Sequence, residues 1–170
     1  LLSRNEVEPD LKLLNKNIFS KIVLITGAGG SIGSELARQI IRLKPTKLIR
    51  LELNEYALYT NREDLKILNK NTKIIPLLVN AQDQTKLEAI FDILKVDTVY
   101  HAAAYKHVSL VEENICEGVK NNVFSTLAVS KASIKKKVKT LVLISSDKAV
   151  RPTNMMGASK RLAELCVQGI

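Results

Sequence analysis

Tryptophan is absent from these 170 residues, and aromatic side chains together make up only 4% of them. Single-stranded nucleic acid is gripped by stacking its bases on aromatic faces. The scarcity of such faces argues against nucleic acid as a partner, although the net charge is +9. Cysteine occurs only as Cys116 and Cys166, which argues against a disulfide framework and suits a reducing compartment. No apolar run is long enough to cross a bilayer. The opening L-L-S-R-N-E-V-E-P-D is too polar for a signal peptide. Internal repeats and low-complexity linkers are missing too, and no set of metal ligands stands out. The positive charge favours anionic partners such as nucleotides, nucleic acid or an acidic membrane surface; its plainer reading is a lysine-rich solvated face.

What is present is alternation. Short β-branched runs, at Lys21 to Thr26, Lys47 to Leu53, Lys73 to Val79, Val96 to His101 and Thr140 to Ile144, read as strands. Between them lie stretches with apolar residues at helical spacing. These are Ser31 to Leu43, Glu55 to Leu68, a helix begun by Asp83, a long helix from Ser109 to Ile134 that is broken at Gly118 or tolerates it, and Asn154 to the end. The pattern predicts an α/β fold: a doubly wound parallel sheet, Rossmann-like. Residues 1–20 read as a polar lead-in and residues 21–170 as the folded domain. The lysines at Lys135 to Lys139 end a helix, where cations complement the dipole.

Four of the glycines crowd into T-G-A-G-G-S-I-G, at Gly27, Gly29, Gly30 and Gly33, where the first strand gives way to a helix. A turn this tight needs residues without Cβ, so that backbone amides at the helix N-terminus can approach a pyrophosphate. The spacing is G-x-x-G-x-x-G, and its position after a strand and before a helix supports a dinucleotide site. Gly27, Gly30, Ser31, Ile32 and Gly33 are the candidate contacts. Glu52, ending the second strand, is a candidate acceptor for the ribose hydroxyls and repels a 2′-phosphate, favouring NAD over NADP; a plain surface glutamate is the other reading, and Arg50 and Arg62 lie close by in sequence. Asp83 is a candidate adenine contact or a helix cap. The fourth strand runs into H-A-A-A-Y-K-H, whose small Ala102 and Ala103 let the backbone pass beneath a cofactor. Lys106 is a candidate ribose or phosphate contact; His107 is a weaker candidate catalyst.

With H-A-A-A-Y-K-H-V, N-N-V-F-S-T and S-S-D-K-A-V-R-P-T-N-M-M-G-A-S-K added to the glycine motif, the chain resembles the extended short-chain dehydrogenase/reductases. Within them it is similar to the polysaccharide-biosynthesis nucleotide-sugar dehydratases, the large membrane-anchored UDP-N-acetylglucosamine 4,6-dehydratases above all. The resemblance implies NAD as cofactor, UDP-N-acetylglucosamine as substrate, and a homo-oligomer paired through the helices after the fourth and fifth strands. It also implies a parent protein anchored at the cytoplasmic face of a bacterial inner membrane, with no membrane contact expected in this segment itself. Such enzymes oxidise C4 of the sugar, eliminate water across C5 and C6, and reduce C6, retaining the C5 configuration. By the same resemblance Asp147 is the acid at C6, Lys148 the base at C5, Ser146 a hydrogen-bond partner of the C4 oxygen, and Lys160 and Asn122 belong to the cofactor site. Acid and base catalysis ask for a raised carboxyl pKa and a lowered amine pKa.

Met156 stands where the superfamily has its catalytic tyrosine, four residues before Lys160. A thioether cannot exchange a proton, so another group must take the C4 hydroxyl proton. The large dehydratases share this methionine, which weakens the alternative of a UDP-sugar 4-epimerase. Relatives begin with transmembrane helices and continue into the last strands and a substrate lobe. The chain is therefore expected to be a truncated cofactor domain, and an NAD-binding module inactive through truncation is a further alternative.

Overall fold

The structure, a computed structural model, describes residues 10–170 apart from 61–64, 66 and 70. The first nine residues and Arg62 thus lie outside the described residues. Five parallel strands form one sheet in the order β3-β2-β1-β4-β5: β1 Ile22–Thr26, β2 Lys47–Glu52, β3 Lys73–Leu78, β4 Thr98–His101 and β5 Thr140–Leu143. The strand order reverses between β1 and β4, and in open α/β sheets the crevice at that point is where ligands bind.

Side chains alternate across this sheet and split the core in two. Leu24, Ile49, Leu51 and Val99 face one way. They pack with Leu87 and Phe91 of α4 (Gln84–Leu94) and Ala128, Val129 and Ala132 of α7 (Ser125–Lys135). Val23, Ile25, Leu48 and Tyr100 face the other way, against Ala37, Ile40 and Ile41 of α2 (Ser31–Arg42). Both faces are covered, which explains the near-continuous apolar runs of the strands.

Two departures from the sequence expectation have physical causes. No element is expected before Lys21, yet α1 (Leu11–Ile18) forms there. Asp10 caps it by accepting from the amides of Lys12 and Leu13, and Ile18 is buried in the second core. Of the helix expected over Glu55 to Leu68, Glu55–Thr60 forms α3 and Leu65, Ile67 and Leu68 are helical too, with 61–64 and 66 outside the described residues. The long helix expected over Ser109 to Ile134 is four pieces: α5 Val108–Glu113, α6 Ile115–Val119, a π-helical turn Lys120–Phe124, and α7. Asn114 breaks it with a non-helical backbone (φ −134°, ψ 55°). The π turn inserts one extra residue per turn, and within it the Asn122 side chain is buried.

Candidate active site

Two cavities, of about 480 Å³ and about 540 Å³, meet along Gly27, Gly30 and Ala102 at the carboxyl edge of the sheet. Their shared floor is the turn from β1 into α2. Gly27 has φ +64°, and a Cβ there would lie 2.7 Å from the backbone of Ala103. A Cβ on Gly33 would lie 2.0 Å from the carbonyl oxygen of Gly27. These two glycines are demanded by the fold. Gly30 is different: its Cβ would meet only the Gly27 carbonyl, at 3.4 Å, and it borders both cavities. The first amides of any helix lack intrahelical acceptors, and here those of Ser31, Ile32 and Gly33 open on the cleft. Lys106 lines the same cavity and reaches the Ser31 hydroxyl at 3.4 Å. An anion-accepting helix start with a cation beside it, floored by residues without side chains, fits a dinucleotide pyrophosphate.

Glu52 borders the second cavity with Ala102 and Ala103. Its carboxylate is bound to the backbone: one oxygen accepts from Gly29 (2.9 Å), the other from Leu53 (2.8 Å) and Asn54 (3.1 Å). It therefore organises the glycine turn as well as placing a negative charge at the cavity wall. Arg50, which the sequence offered only as a neighbour of Glu52, is fully buried. Its guanidinium donates to the carbonyls of Leu58 (3.1 Å) and Ala28 (3.3 Å). Burial pulls its pKa down while the Glu52 charge opposes that. His101 was also not singled out. It is buried between the hydroxyls of Thr26 (2.6 Å) and Thr126 (3.0 Å), and burial, helped by the charge of Lys160, lowers its pKa to about 3. It is a neutral ring bracing the ends of β1 and β4.

Three expected cofactor residues, Asp83, Asn122 and Lys160, line neither cavity. Asp83 caps α4 through the Lys86 amide (3.0 Å) and pairs with the Lys86 ammonium (3.1 Å), which lowers its pKa. Asn80 and Ala81 border the cleft instead. Asn122, brought inward by the π turn, clamps the backbone of Tyr105, accepting from its amide (2.7 Å) and donating to its carbonyl (3.1 Å). It also donates to the Ser159 hydroxyl (2.9 Å) of α8 (Met155–Gln168).

The second cluster lies between β5 and α8. Ser146 precedes a 3₁₀ turn, Asp147–Ala149, and accepts from the Lys148 amide (3.2 Å). The Asp147 carboxylate accepts from the Ser146 hydroxyl (3.0 Å) and the Lys148 amide (3.0 Å). The Asp147 and Lys148 side chains are exposed, and no ion pair joins them among the described residues. The Ser146 hydroxyl, then the Lys148 charge and amide, hold the Asp147 carboxyl below its ordinary range. That is opposite to what a resting general acid needs. A Cβ on Gly157 would fall 2.2 Å from the Lys148 carbonyl, so the turn sits directly on α8. Lys160 is buried, donates to the Ile144 carbonyl (2.6 Å) and is pushed down in pKa by that burial. Met156 is buried at 3% exposure. Cofactor cleft and reactive turn are thus two adjoining regions, linked through Asn122 and Ser159.

The profile of the family described as polysaccharide biosynthesis protein matches residues 23–170. The chain belongs to this family. It is 40% identical to the capsular polysaccharide biosynthesis protein CapD of Staphylococcus aureus, covering all of this chain and 28% of that protein. It is 41% identical to the probable polysaccharide biosynthesis protein EpsC of Bacillus subtilis, again over all of this chain and 29% of that one. A UDP-glucose 4-epimerase of Rickettsia canadensis is 33% identical over 85% of this chain and 42% of its own length. The family member thus spans well under half the length of these relatives. Among solved structures, Pen from Bacillus thuringiensis superposes with TM-score 0.82 at 34% identity, over 90% of this chain and 47% of that one. DesIV of Streptomyces venezuelae, a dTDP-glucose 4,6-dehydratase solved with NAD and TYD, gives TM-score 0.76 at 22% identity, over 86% and 50%, and shares the fold.

Proposed function

We propose that this chain is the cofactor-binding and reactive part of an NAD-dependent nucleotide-sugar 4,6-dehydratase acting on UDP-N-acetylglucosamine. One observation carries the reading: Ser146, Asp147 and Lys148 form one exposed turn seated on α8, with a buried methionine where a proton-exchanging tyrosine would stand. That group of residues suits elimination better than simple oxidation. Gly27, Gly30, the α2 amides and Lys106 would hold the pyrophosphate, and Lys160 the nicotinamide ribose. Glu52 at the cavity wall favours NAD over its 2′-phosphate. When bound, NAD supplies reversible hydride exchange with the sugar.

The residues of the turn divide the remaining work. Lys148 removes the C5 proton, and Asp147 protonates the C6 hydroxyl as it leaves, so one water is lost. In the ligand-free geometry the Ser146 hydroxyl is committed to Asp147. Turning that hydroxyl toward the C4 oxygen of the sugar withdraws the bond that most lowers the Asp147 pKa. While Ser146 is still bonded to it, the Asp147 carboxylate takes, through that hydroxyl, the C4 hydroxyl proton that Met156 cannot. Once C4 is oxidised, the turn of the hydroxyl toward the C4 oxygen favours the protonated carboxyl, which gives this proton to the departing C6 hydroxyl.

A UDP-sugar 4-epimerase is the second reading, favoured by the Rickettsia relative and opposed by Met156. The test is mass spectrometry of UDP-N-acetylglucosamine incubated in deuterium oxide with NAD and the full-length protein. Dehydration removes the mass of one water and brings solvent deuterium to C5, and Asp147→Asn abolishes both. Epimerisation leaves the mass unchanged and would overturn the dehydratase reading.

A further inference from the structure

The edge of the sheet opposite the cleft carries a charge that the proposed reaction does not use. Because the strands are parallel, all five begin at this edge. Lys47 and Lys73 are in register at the starts of β2 and β3. Lys21 stands just before β1, with its carbonyl bound to the amides of Thr46 (2.8 Å) and Lys47 (3.4 Å). Lys139 stands just before β5, its amide bound to the Asp97 carbonyl (3.0 Å). The helices end at the same edge, adding Arg42 and Lys44 after α2, Lys95 after α4 and Lys137 after α7. The acids there are already engaged. Asp92 pairs with Lys95 and Lys136, Asp97 with Lys139, and Glu88 with Lys135. Lys21, Arg42, Lys44, Lys47, Lys73 and Lys137 have no ion pair among the described residues.

A second observation separates this charge from ordinary helix-end complementarity. The helix-to-strand turns hold Lys44, Lys95 and Lys137 at φ 54°, 54° and 56°. Glycine takes this left-handed conformation without steric cost and is the usual residue at a helix exit. A lysine in the last helical turn would complement the dipole equally well. At all three turns the chain instead places a lysine on the residue least suited to a side chain. Apolar groups flank the charges. Phe19, 53% exposed, shares a cavity wall with Arg42 and Lys44. α1, which exposes Leu11 and Leu13, carries Asn17 in its last turn, whose carbonyl and side-chain oxygens accept from Thr98 and Thr140 at the starts of β4 and β5.

We infer that this basic edge, with Phe19 and α1 beside it, docks the domain on an anionic phospholipid surface and leaves the cleft facing away from the bilayer. Unpaired lysines on one broad face, interspersed with exposed apolar residues, match a headgroup layer of negative charge. The near absence of aromatics at this edge offers nothing on which bases could stack.

The test is sedimentation of the chain with vesicles of equal parts phosphatidylglycerol and phosphatidylcholine, beside pure phosphatidylcholine. Binding is expected only to the anionic vesicles and is expected to weaken with salt. Lys44→Gly and Lys137→Gly suit the left-handed backbone, so thermal stability should hold or rise. Each should lower the partition coefficient roughly fivefold, corresponding to about 1 kcal/mol for one lysine near such a surface. Lys86→Gln, at the cleft end of α4, should leave it unchanged. No binding to anionic vesicles, or unaltered binding by the stable glycine variants, overturns the inference. So does preferential retention by duplex DNA competing with the vesicles, which would assign the edge to nucleic acid.

Discussion

Acid should unfold this domain through His101. The ring is 2% exposed and its pKa falls to about 3 from an ordinary 6.5. Above pH 6.5 the ring is neutral in both folded and unfolded chains and adds no pH dependence. Between 6.5 and 3 the unfolded chain binds a proton that the folded chain refuses. Stability is therefore lost as pH falls, at about 1.4 kcal/mol per pH unit. By pH 5 that amounts to about 2 kcal/mol, a large share of the roughly 5–15 kcal/mol of a typical domain. His101→Gln keeps an amide able to bond Thr26 or Thr126 but cannot titrate in this range. Urea unfolding at pH 7 and pH 5 should show the unmodified chain losing about 2 kcal/mol more than the variant. Carboxylates contribute to both chains and cancel in the difference. Proton NMR of the folded chain adds a check independent of the variant: the His101 ring signals should stay at their neutral positions down to pH 5. Equal pH dependence in the two chains, or a ring that titrates near 6.5, would refute the reasoning, because a ring held among hydroxyls without water could do neither.

Other substitutions separate the roles of the small residues. Gly30→Ala places a methyl at the cleft no nearer than 3.4 Å to the Gly27 carbonyl and should leave the melting temperature unchanged. It should weaken NAD binding at least about tenfold, ~1.4 kcal/mol by calorimetry. Gly33→Ala collides with the Gly27 carbonyl and should lower both stability and NAD affinity; loss of affinity alone would contradict the steric account. Gly157→Ala forces the Lys148 carbonyl away from α8 and should cost about 1–3 kcal/mol. In the full-length protein it should also depress turnover far more than NAD affinity, and an unchanged kcat would detach the reactive turn from α8.

The sheet was legible in the sequence because both its faces are covered, so the strands stand out as apolar runs between amphipathic helices. The glycine turn was legible because Gly27 and Gly33 leave no room for any other residue. Asp83 was recognisable as a cap, but its absence from the cleft walls depends on how far the loop carries Asn80 and Ala81 past it. The break at Asn114 and the π turn leave no mark on the periodicity, since 3.6- and longer-period stretches of this length share the same apolar positions. Asn122, assigned to the cofactor site by resemblance, bonds through its side chain to Tyr105, Asn121 and Ser159. Spacing placed Glu52 at the end of β2 but not its bonds to the Gly29, Leu53 and Asn54 amides, and it did not pick out His101. Their partners are backbone amides and hydroxyls from other elements, and such partners have no sequence signature. Gly157 did have one: a glycine inside a helix, where it costs stability unless something needs the space.

The bonds of Asn122 bear on how such a protein can be inherited. One side chain holds the loop after β4 by its backbone and α8 by a serine hydroxyl. Recombination between relatives is therefore not free to join any front half to any back half. A junction placed between residues 123 and 158 parts Asn122 from Ser159. The chimera keeps its seam only if the donor supplies a hydroxyl at the matching place on its last helix. Within this lineage the cofactor half and the reactive half are expected to travel together, although each is built around its own local turn.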